Sequence, residues 1–440
     1  MRLIVLILFC VLLSMQSFEQ QLYSLQDCFA AATTNNIDLK KSKNDIENNS
    51  IDKKAATFNL FPAVYANAEH FFSTGKNIDP VTNNFVRENF SGGDFNVTAE
   101  LNIFSGFTAV NSIKSSLYKL KASEYAYQKN QLKIFSAITI AYAKVMYSKD
   151  HAATIRDNNF YTQQELNVVQ EKIEQGKMSK SDYYTINARN KAEQADLIDA
   201  QNDSLTALNE LKYLTGLHYN EAFKIKDIDS GEIANIATIE FNLADVLDKV
   251  LKDHPALQQS LYTERAAEMN LKVMKGNVYP TISLAGNIFS NYNSTNENPN
   301  SNHISLGEQL NNNLGKTAGV IVQVPLFNRY QNRFAIGKEK INLYNAKLTS
   351  QQTENDVVQN TQQLLNDFIS AKQKYLLEEE SLQQAALSYK SFEERYKLGY
   401  ISSLELIFAK DALHTQQTRT MQAKYNLYFK YKLIELLTMN

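Results

Sequence analysis

The chain has 440 residues and a formal net charge of −2 at pH 7. This near-neutral charge, without a cluster of Lys and Arg, argues against a nucleic-acid-binding protein, so no nucleic-acid partner is expected. Gly occurs 14 times and Pro only 6 times, so few residues interrupt helices or strands. The composition therefore predicts very long secondary-structure elements.

The N-terminus has the pattern of a secretory signal peptide. A basic residue precedes a short apolar stretch within residues 1–17, and that stretch is too short to span a bilayer as a helix. We expect cleavage between residues 14 and 20. Cys10 lies inside the apolar stretch, which is a poor context for lipoprotein processing. After cleavage Cys28 is the single cysteine, which excludes an intrachain disulfide.

One long unit occurs twice along the sequence. In the first part of each copy, equivalent residues are 218 positions apart, as Leu39 and Leu257 are. Beyond a polar loop the spacing becomes 223, as between Gly176 and Gly399. Two copies of one unit predict a pseudo-twofold architecture.

The repeat divides the mature chain into three predicted parts. Each repeat reads as a helix, a β-hairpin and a long helical hairpin, in that order. A linker, expected to pack as an equatorial segment, joins the repeats. The first repeat covers 21–216, with its β-hairpin at 62–104 and its helical-hairpin tip near 176; the linker covers 217–240; the second repeat covers 241–440, with its β-hairpin at 280–327 and its tip near 399.

Helical patterns dominate each repeat. Residues 25–60 form a predicted helix that is broken near Asn35-Asn36 and ended by Pro62, because proline lacks a backbone donor. Residues 108–174 contain no Pro or Gly, and a helix of about 65 residues would be about 100 Å long. Apolar residues step by four, three and four, which is typical of coiled-coil packing. The stepping residues are Ile134, Ile138, Ala141 and Val145 in the first repeat, and Val357, Thr361, Leu364 and Phe368 in the second.

Four segments alternate between apolar and polar residues and are predicted to be strands. Alternation alone favours half-buried strands of a soluble sheet. Combined with the signal peptide and the long helices, it favours a transmembrane β-barrel with apolar side chains toward lipid. The strands are predicted at 63–72, 95–103, 281–288 and 319–326, and the polar segments 73–94 and 293–316 are predicted surface loops.

Four strands do not close a membrane barrel by themselves. The smallest membrane barrels have eight strands, and open sheet edges are not tolerated in lipid. A barrel must therefore be shared between chains, and three chains would supply twelve strands.

The two predicted hairpin tips share one motif. A glycine able to adopt the left-handed conformation is followed by a serine and, three residues later, by an acidic residue. The serine and the acidic residue form a capping-box pattern, so tight turns alone would explain the motif. The motif consists of Gly176, Ser179 and Asp182 at the first tip and Gly399, Ser402 and Glu405 at the second.

Four short sequences, in this order and spacing, resemble one known family. They are NLFP at 59–62, NVYP at 277–280, VPLF at 324–327 and YKLGYIS at 396–402. With the long repeat, they make the whole mature chain resemble the outer membrane efflux protein family of TolC-like channels.

The resemblance implies a mostly α-helical protein with a small β part. A homotrimer would form a twelve-stranded barrel in outer membrane lipid of a Gram-negative bacterium, and the long coiled-coil helices would form an α-barrel across the periplasm. The partners implied are a periplasmic adaptor and an inner-membrane pump of resistance-nodulation-division or ABC type, in efflux or type I secretion. The substrate stays open between drugs, metals, metabolites and polypeptides.

The resemblance also implies roles for the tips. Adaptor docking is expected at the turn glycines and serines, and the tunnel is expected to close at the tips. Tyr396 matches a family tyrosine, whereas Phe408 and Ile401 replace an acidic residue and a latch arginine. Glu405 is expected either in an acidic ring or in a capping box alone, and Phe408 offers a hydrophobic constriction instead. The predicted gate residues are Tyr396, Glu405, Phe408 and Asp182, and the predicted docking residues are Gly176, Ser179, Gly399 and Ser402.

Two other classes of protein compete with the channel. An enzyme is disfavoured because the six histidines show no metal-ligand spacing and no phosphate-binding glycine motif occurs, so no catalytic residue, metal or cofactor is predicted. A periplasmic coiled-coil scaffold or adaptor-like protein would explain the helices and the signal peptide. It would leave the alternating strands unexplained.

Overall fold

The computed structural model describes residues 22–78, 83–86, 89–176, 178–296 and 304–438. The predicted signal peptide lies outside these residues. Among the helices described, none has the length and hydropathy needed to cross a membrane. The helices are α1 Leu25–Asn35, α2 Ile37–Phe58, α3 Thr108–Glu174, α4 Lys180–Thr215, α5 Ser230–Ile236, α6 Leu243–Asp253, α7 Pro255–Gly276, α8 Leu306–Asn312, α9 Gln331–Lys397 and α10 Ser403–Thr438. The strands are β1 Leu22–Tyr23, β2 Ala63–Ser73, β3 Asn77–Ile78, β4 Phe85–Val86, β5 Phe90–Ser105, β6 Lys224–Ile225, β7 Thr281–Asn293 and β8 Gly315–Gln323.

The chain forms two compact units, each built from residues of both sequence repeats. The helical unit combines the N-terminal segment up to Asn44 with 125–258 and 352–440. The sheet unit combines 45–124 and 259–351. Both hairpin tips belong to the helical unit, and the long strands belong to the sheet unit.

The predicted break between α1 and α2 is confirmed in the helical unit. Asn36 has an extended backbone, and its side-chain carbonyl accepts the N–H of Asp38 at 2.9 Å, which caps α2. Its side-chain amide donates to the carbonyl of Leu214 at 2.9 Å. Gly216 follows α4 with φ of +70°, and an added Cβ there would lie 2.7 Å from the backbone of Asn35. The break is therefore fixed by both the cap and the close approach of Gly216.

The two largest hydrophobic clusters of the helical unit lie away from the tips. Ile138, Ala141 and Val145 are buried in the first cluster with residues of α1, α4 and α10. Phe368 is buried in the second cluster with residues of α5, α6 and α10. Leu365 is buried there, whereas the predicted seam residue Leu364 is only partly buried. The prediction was wrong by one residue at this position, where residues of α5, α6 and α10 pack on the side of α9 that carries Leu365.

The linker between the repeats has a defined fold. Its strand β6 pairs in parallel with β1, with Leu22 opposite Lys224. The side chain of Asp229 accepts the N–H of Gly231 at 3.0 Å and caps α5. Ile233 and Ile236 of α5 are buried in the second cluster, so the linker contributes to the core.

The sheet unit contains one antiparallel sheet of four strands in the order β2-β5-β7-β8. The register places Val97 opposite Ala66 on β2 and opposite Ile288 on β7. One face is apolar and open to the surroundings, because Val97 and Ile288 are both exposed. The opposite face carries hydrogen-bonded polar pairs such as Asn67 with Asn96 at 2.9 Å. The predicted apolar–polar alternation is confirmed in these strands.

The two predicted surface loops were wrong in extent. Strand β5 begins at Phe90, inside the predicted loop 73–94, and helix α8 lies inside the predicted loop 293–316. Gly92 and Gly93 suggested a loop, since glycine is depleted in strands. In the sheet they leave room for aromatic rings, because an added Cβ on Gly93 would lie 2.5 Å from the ring of Tyr292.

Candidate functional site

The first hairpin tip turns at Gly176, between α3 and α4. Gly176 has φ of +69°, and its N–H donates to the carbonyl of Ile173 at 2.9 Å. No atom would lie within 4 Å of an added Cβ, so the backbone angle rather than space calls for glycine. Ser179 is the N-cap of α4, and its hydroxyl accepts the N–H of Ser181 at 3.0 Å.

The second hairpin tip turns at Gly399, between α9 and α10. Gly399 has φ of +78°, and the N–H of Tyr400 donates to the carbonyl of Arg395 at 2.9 Å, as in a Schellman motif. The hydroxyl of Ser402 accepts the N–H of Glu405 at 3.3 Å. The Glu405 carboxylate in turn accepts the Ser402 N–H at 2.9 Å. The predicted capping box is confirmed at this tip.

The capping box predicted at the first tip was wrong. The carboxylate of Asp182 accepts a hydrogen bond from the hydroxyl of Ser403, at 2.9 Å, instead of bonding back to Ser179. Ser403 is buried and begins α10, so this bond joins the two tips. Sequence reasoning missed Ser403, and the paired serines 402 and 403 were the available signal.

Tyr396 connects the second hairpin to the first. The Nζ of Lys172, on α3, lies 5.6 Å from the centroid of the Tyr396 ring, within cation–π range. Burial raises the pKa of Tyr396, and the negative charges of Glu165 and Asp182 raise it further. The phenol is therefore neutral at physiological pH and contacts α3 as a polar aromatic ring.

Glu405 and Phe408 lie about one turn apart on α10, and both line one cavity of about 410 Å³. Phe408 is 63% exposed, whereas Ile401 at the latch position is 9% exposed and buried. The backbone N–H of Ser402 lowers the pKa of Glu405, and the Ser402 hydroxyl lowers it further. Within one chain Glu405 is thus ionised at neutral pH, beside an exposed aromatic ring.

Apolar packing joins the hairpins just above the tips. Leu166 and Val169 of α3 pack with Ile186 of α4 in one buried cluster. Ile407 of α10 packs against this cluster. The contact places α10 beside both helices of the first hairpin.

Polar and charged contacts also join α3, α4 and α10, and we call this set of contacts the polar seam. The sequence analysis did not predict it. Arg189 of α4 pairs with Glu193 of its own helix, with Nε 3.0 Å from Oε1, and with Asp411 of α10. Lys410 donates to the hydroxyl of Thr162 on α3 at 2.7 Å. These charges occupy helix faces that the apolar pattern alone assigns to solvent.

A second cavity, of about 580 Å³, lies along this seam. Its lining combines aromatic rings with charges of both signs, and Tyr396 is one of the lining residues. Glu405 and Phe408 line the other cavity. The four predicted gate residues therefore do not form one cluster. The lining includes Tyr161, Glu165, Lys172, Tyr389, Tyr396 and Lys410.

No metal centre is found within the part of the chain that the structure describes. In that part, no group of three or more His, Cys, Asp and Glu side chains is arranged to hold a metal ion.

Comparison with known families gives one match, and it covers most of the chain. The profile of the outer membrane efflux protein family matches residues 30–217 and 246–434. The two matched segments fall in the first and second sequence repeats. No curated protein sequence matches the chain significantly.

The fold is similar to several solved structures at low sequence identity. VceC, an outer membrane protein of Vibrio cholerae, has a TM-score of 0.78 at 14% identity, covering 94% of this chain and 96% of VceC. The Campylobacter jejuni outer membrane channel CmeC has a TM-score of 0.78 at 15% identity, covering 94% of this chain and 85% of CmeC. CusC has a TM-score of 0.78 at 14% identity, covering 93% of this chain and 91% of CusC. At these identities the likeness carries the fold alone.

Proposed function

The chain belongs to the outer membrane efflux protein family, and from this premise we propose that it works as a homotrimer in a tripartite assembly with a periplasmic adaptor and an inner-membrane pump. Proteins of this family are outer membrane efflux channels and not enzymes, and this chain has their TolC-like fold. It is an outer membrane channel component whose helical part extends into the periplasm.

The homotrimer rests on the four-stranded sheet. Its outer strands β2 and β8 each pair on one side only among the described residues, so one chain leaves two open edges. An apolar face that is exposed in one chain fits a lipid-facing surface. In lipid, unpaired backbone groups on those edges are costly, and pairing β8 of one chain with β2 of the next satisfies them. Three copies supply twelve strands.

The mass of the detergent-extracted protein tests this proposal. Three chains of 50.0 kDa give about 150 kDa before removal of any signal peptide. We expect this mass in the outer membrane fraction, measured by light scattering with detergent subtracted. A monomer in the soluble periplasmic fraction would overturn it and favour a coiled-coil scaffold.

The tips are proposed to dock the adaptor. Gly176 and Gly399 make tight turns, and Ser179 and Ser402 cap the following helices, so each tip presents a small, rigid surface. A photocrosslinker at Ser179 should react with the adaptor, and one at the exposed Tyr213 of the same helix should not. Equal crosslinking from both positions would contradict tip docking.

The gate is proposed to lie at the same end, with Glu405 and Phe408 at the constriction and Tyr396 and Asp182 holding the hairpins together. Support comes from the exposed ring and ionised carboxylate on adjacent turns of α10. Three copies would repeat both groups around one axis.

Single-channel conductance distinguishes the two kinds of gate. Phe408→Ala should raise conductance if the ring narrows the path, and Glu405→Gln should reduce cation selectivity if the carboxylates face it. Thr185→Ala is the matched control, because Thr185 is exposed and occupies the equivalent position of the first repeat. Unchanged conductance and selectivity in both test variants would refute a gate at these residues.

Because the sequence has no phosphate-binding motif, we propose that the partner pump supplies the energy for transport. The channel then provides a water-filled path that opens at the tips.

A further inference from the structure

Unpaired polar atoms are concentrated in one stretch of the first helical hairpin. Among the described residues, four buried side-chain nitrogen or oxygen atoms lack a hydrogen-bond partner. Two are on α3 and two on α4, and Asn159 of α3 donates to the carbonyl of Asn190 on α4 at 3.4 Å, so these stretches face each other. The atoms are Asn158 Nδ2, Glu165 Oε1, Asn190 Nδ2 and Glu193 Oε2.

Buried unpaired groups are rare because each has lost its hydrogen bonds to water. Four of them in one place call for an explanation beyond packing. Two of them are carboxylate oxygens. A buried carboxylate can take up a proton, which removes its negative charge and gives it an O–H group that donates a hydrogen bond.

Glu193 and Glu165 differ in their counter-charges. Glu193 is paired with Arg189, whose guanidinium also binds Asp411, so its charge is compensated within the seam. Among the residues that the structure describes, none forms an ion pair of this kind with Glu165. The nearby Lys410 donates instead to the neutral hydroxyl of Thr162 at 2.7 Å. Of these two carboxyl groups, Glu165 is therefore the one whose negative charge is compensated less.

The groups that face Glu165 do not remove this imbalance. Burial raises the pKa of Glu165, the positive charges of Lys410 and Lys172 lower it, and the negative charge of Glu193 raises it, with a net upward shift. The tyrosines on α9 are neutral, because burial raises the pKa of each. The titratable and charged groups around Glu165 are Tyr161 and Lys172 on α3, Glu193 on α4, Tyr389, Glu393, Tyr396 and Lys397 on α9, and Lys410 and His414 on α10.

The cavity beside Glu165 gives protons access to its carboxyl group. Glu165 lines the 580 Å³ cavity between the hairpins, together with residues of α9 and α10. The Glu165 side chain is half-buried there, with its Oε1 covered by the packed hairpins, and separation of the hairpins returns that oxygen to water. Protonation and hairpin packing are therefore linked through one residue.

We propose that the protonation state of Glu165 controls how tightly the two helical hairpins pack. Protonated Glu165 stabilises the packing of α3 and α4 against α9 and α10, and ionised Glu165 weakens it. This rests on the proposed function in one respect, namely that the tips are the periplasmic entrance. The entrance then opens more readily as the pH around it rises.

The sign of the effect follows from linkage. Because the pKa of Glu165 is raised in the packed state above its ordinary 4.5, the packed state binds the proton more tightly than the separated state. Protonated Glu165 stabilises the packed hairpins fully below pH 4.5, and this stabilisation is lost as the pH rises through the raised pKa of Glu165. Within that window the packing equilibrium changes by up to about tenfold per pH unit.

Amide hydrogen exchange of residues 155–170 in the trimer tests the proposal. Exchange is measured at pH 5 and pH 8 and corrected for the intrinsic exchange rates. In the wild type we expect protection to fall severalfold at the higher pH. Glu165→Gln keeps the shape of the protonated side chain and should abolish this pH dependence. Glu171→Gln, at an exposed position of the same helix, should retain it.

Two outcomes would contradict the proposal. Equal protection of the wild type at both pH values, or an unchanged pH dependence in Glu165→Gln, would overturn the proposal. If Glu165→Gln does not assemble, Glu165→Met gives a second uncharged variant of similar length. Conductance of the wild-type trimer, measured on the same preparation, reports the channel function separately, so loss of one result does not imply loss of the other.

Discussion

Gly216→Ala and Gly176→Ala form a matched pair of substitutions. Comparing their effects on stability separates the cost of backbone strain from the cost of steric contact. The two glycines have nearly the same backbone angle, φ of +70° and +69°. A Cβ on Gly216 would lie 2.7 Å and 2.8 Å from backbone atoms of Asn35 and Asn36. A Cβ on Gly176 would meet nothing within 4 Å. The substitutions therefore share the strain and differ in the contact.

The expected magnitudes follow from these distances. The left-handed conformation costs an alanine about 1–2 kcal/mol, which is the whole effect expected for Gly176→Ala. Gly216→Ala adds overpacking against backbone that is fixed by the Asn36 cap, at about 1–3 kcal/mol. The total for Gly216→Ala is thus about 2–5 kcal/mol.

Thermal unfolding of the detergent-solubilised protein measures the difference. Both variants are heated at one scan rate, since unfolding of an oligomeric membrane protein is commonly irreversible and its Tm depends on rate. We expect a clearly lower Tm for Gly216→Ala than for Gly176→Ala, and wild-type circular dichroism for both at low temperature. Equal Tm values would refute the reasoning that Gly216 is required for close approach to the α1–α2 break.

Two further substitutions test the packing of the helical unit. Phe368 is 1% exposed, with its ring centroid 5.2 Å from that of Phe241. A Phe→Ala change in a close-packed core costs about 3–5 kcal/mol, so Phe368→Ala should lower the Tm more than Gly176→Ala does in the same thermal assay. A Tm equal to that of the wild type would contradict a close-packed core there. Ser403→Ala removes the hydroxyl that donates to the Asp182 carboxylate, a bond worth about 1.5 kcal/mol, and hydrogen exchange should rise at both tips. Faster exchange at the second tip alone would show that this bond does not join them.

Local patterns in the sequence were sufficient for the α1–α2 break and for the long helix α3. The break at Asn36 was predictable because an Asn pair interrupts the helical pattern, and the structure adds the cap that fixes it. The range 108–174 was predictable because it lacks helix breakers. Such signals depend on residues close in sequence, where the spacing of apolar and capping residues carries the information.

Contacts between distant residues were not predictable in the same way. The capping box of Asp182 is a good local pattern, yet Ser403 competes for the carboxylate from 221 residues away. The β5–β7 pairing joins the two repeats through a register that neither strand encodes by itself. The Oε1 atom of Glu165 is buried where α9 and α10 lie along α3, and a single helix gives no sign of this.

The two hairpins share their turns but differ in the residues that carry chemistry. With the spacing of 223, Tyr396 corresponds to Ile173 and Phe408 to Thr185, whereas Glu165 corresponds to Ser388. At these equivalent positions, the exposed ring of Phe408 occurs on the second hairpin and the carboxyl group of Glu165, with its buried unpaired Oε1, on the first. Common turn residues preserve one backbone, because a left-handed glycine and a capping serine are needed at both tips. The residues that differ therefore have separate functions in our proposal. Phe408 of the second hairpin lines the channel, and Glu165 of the first hairpin makes the packing of the hairpins depend on pH.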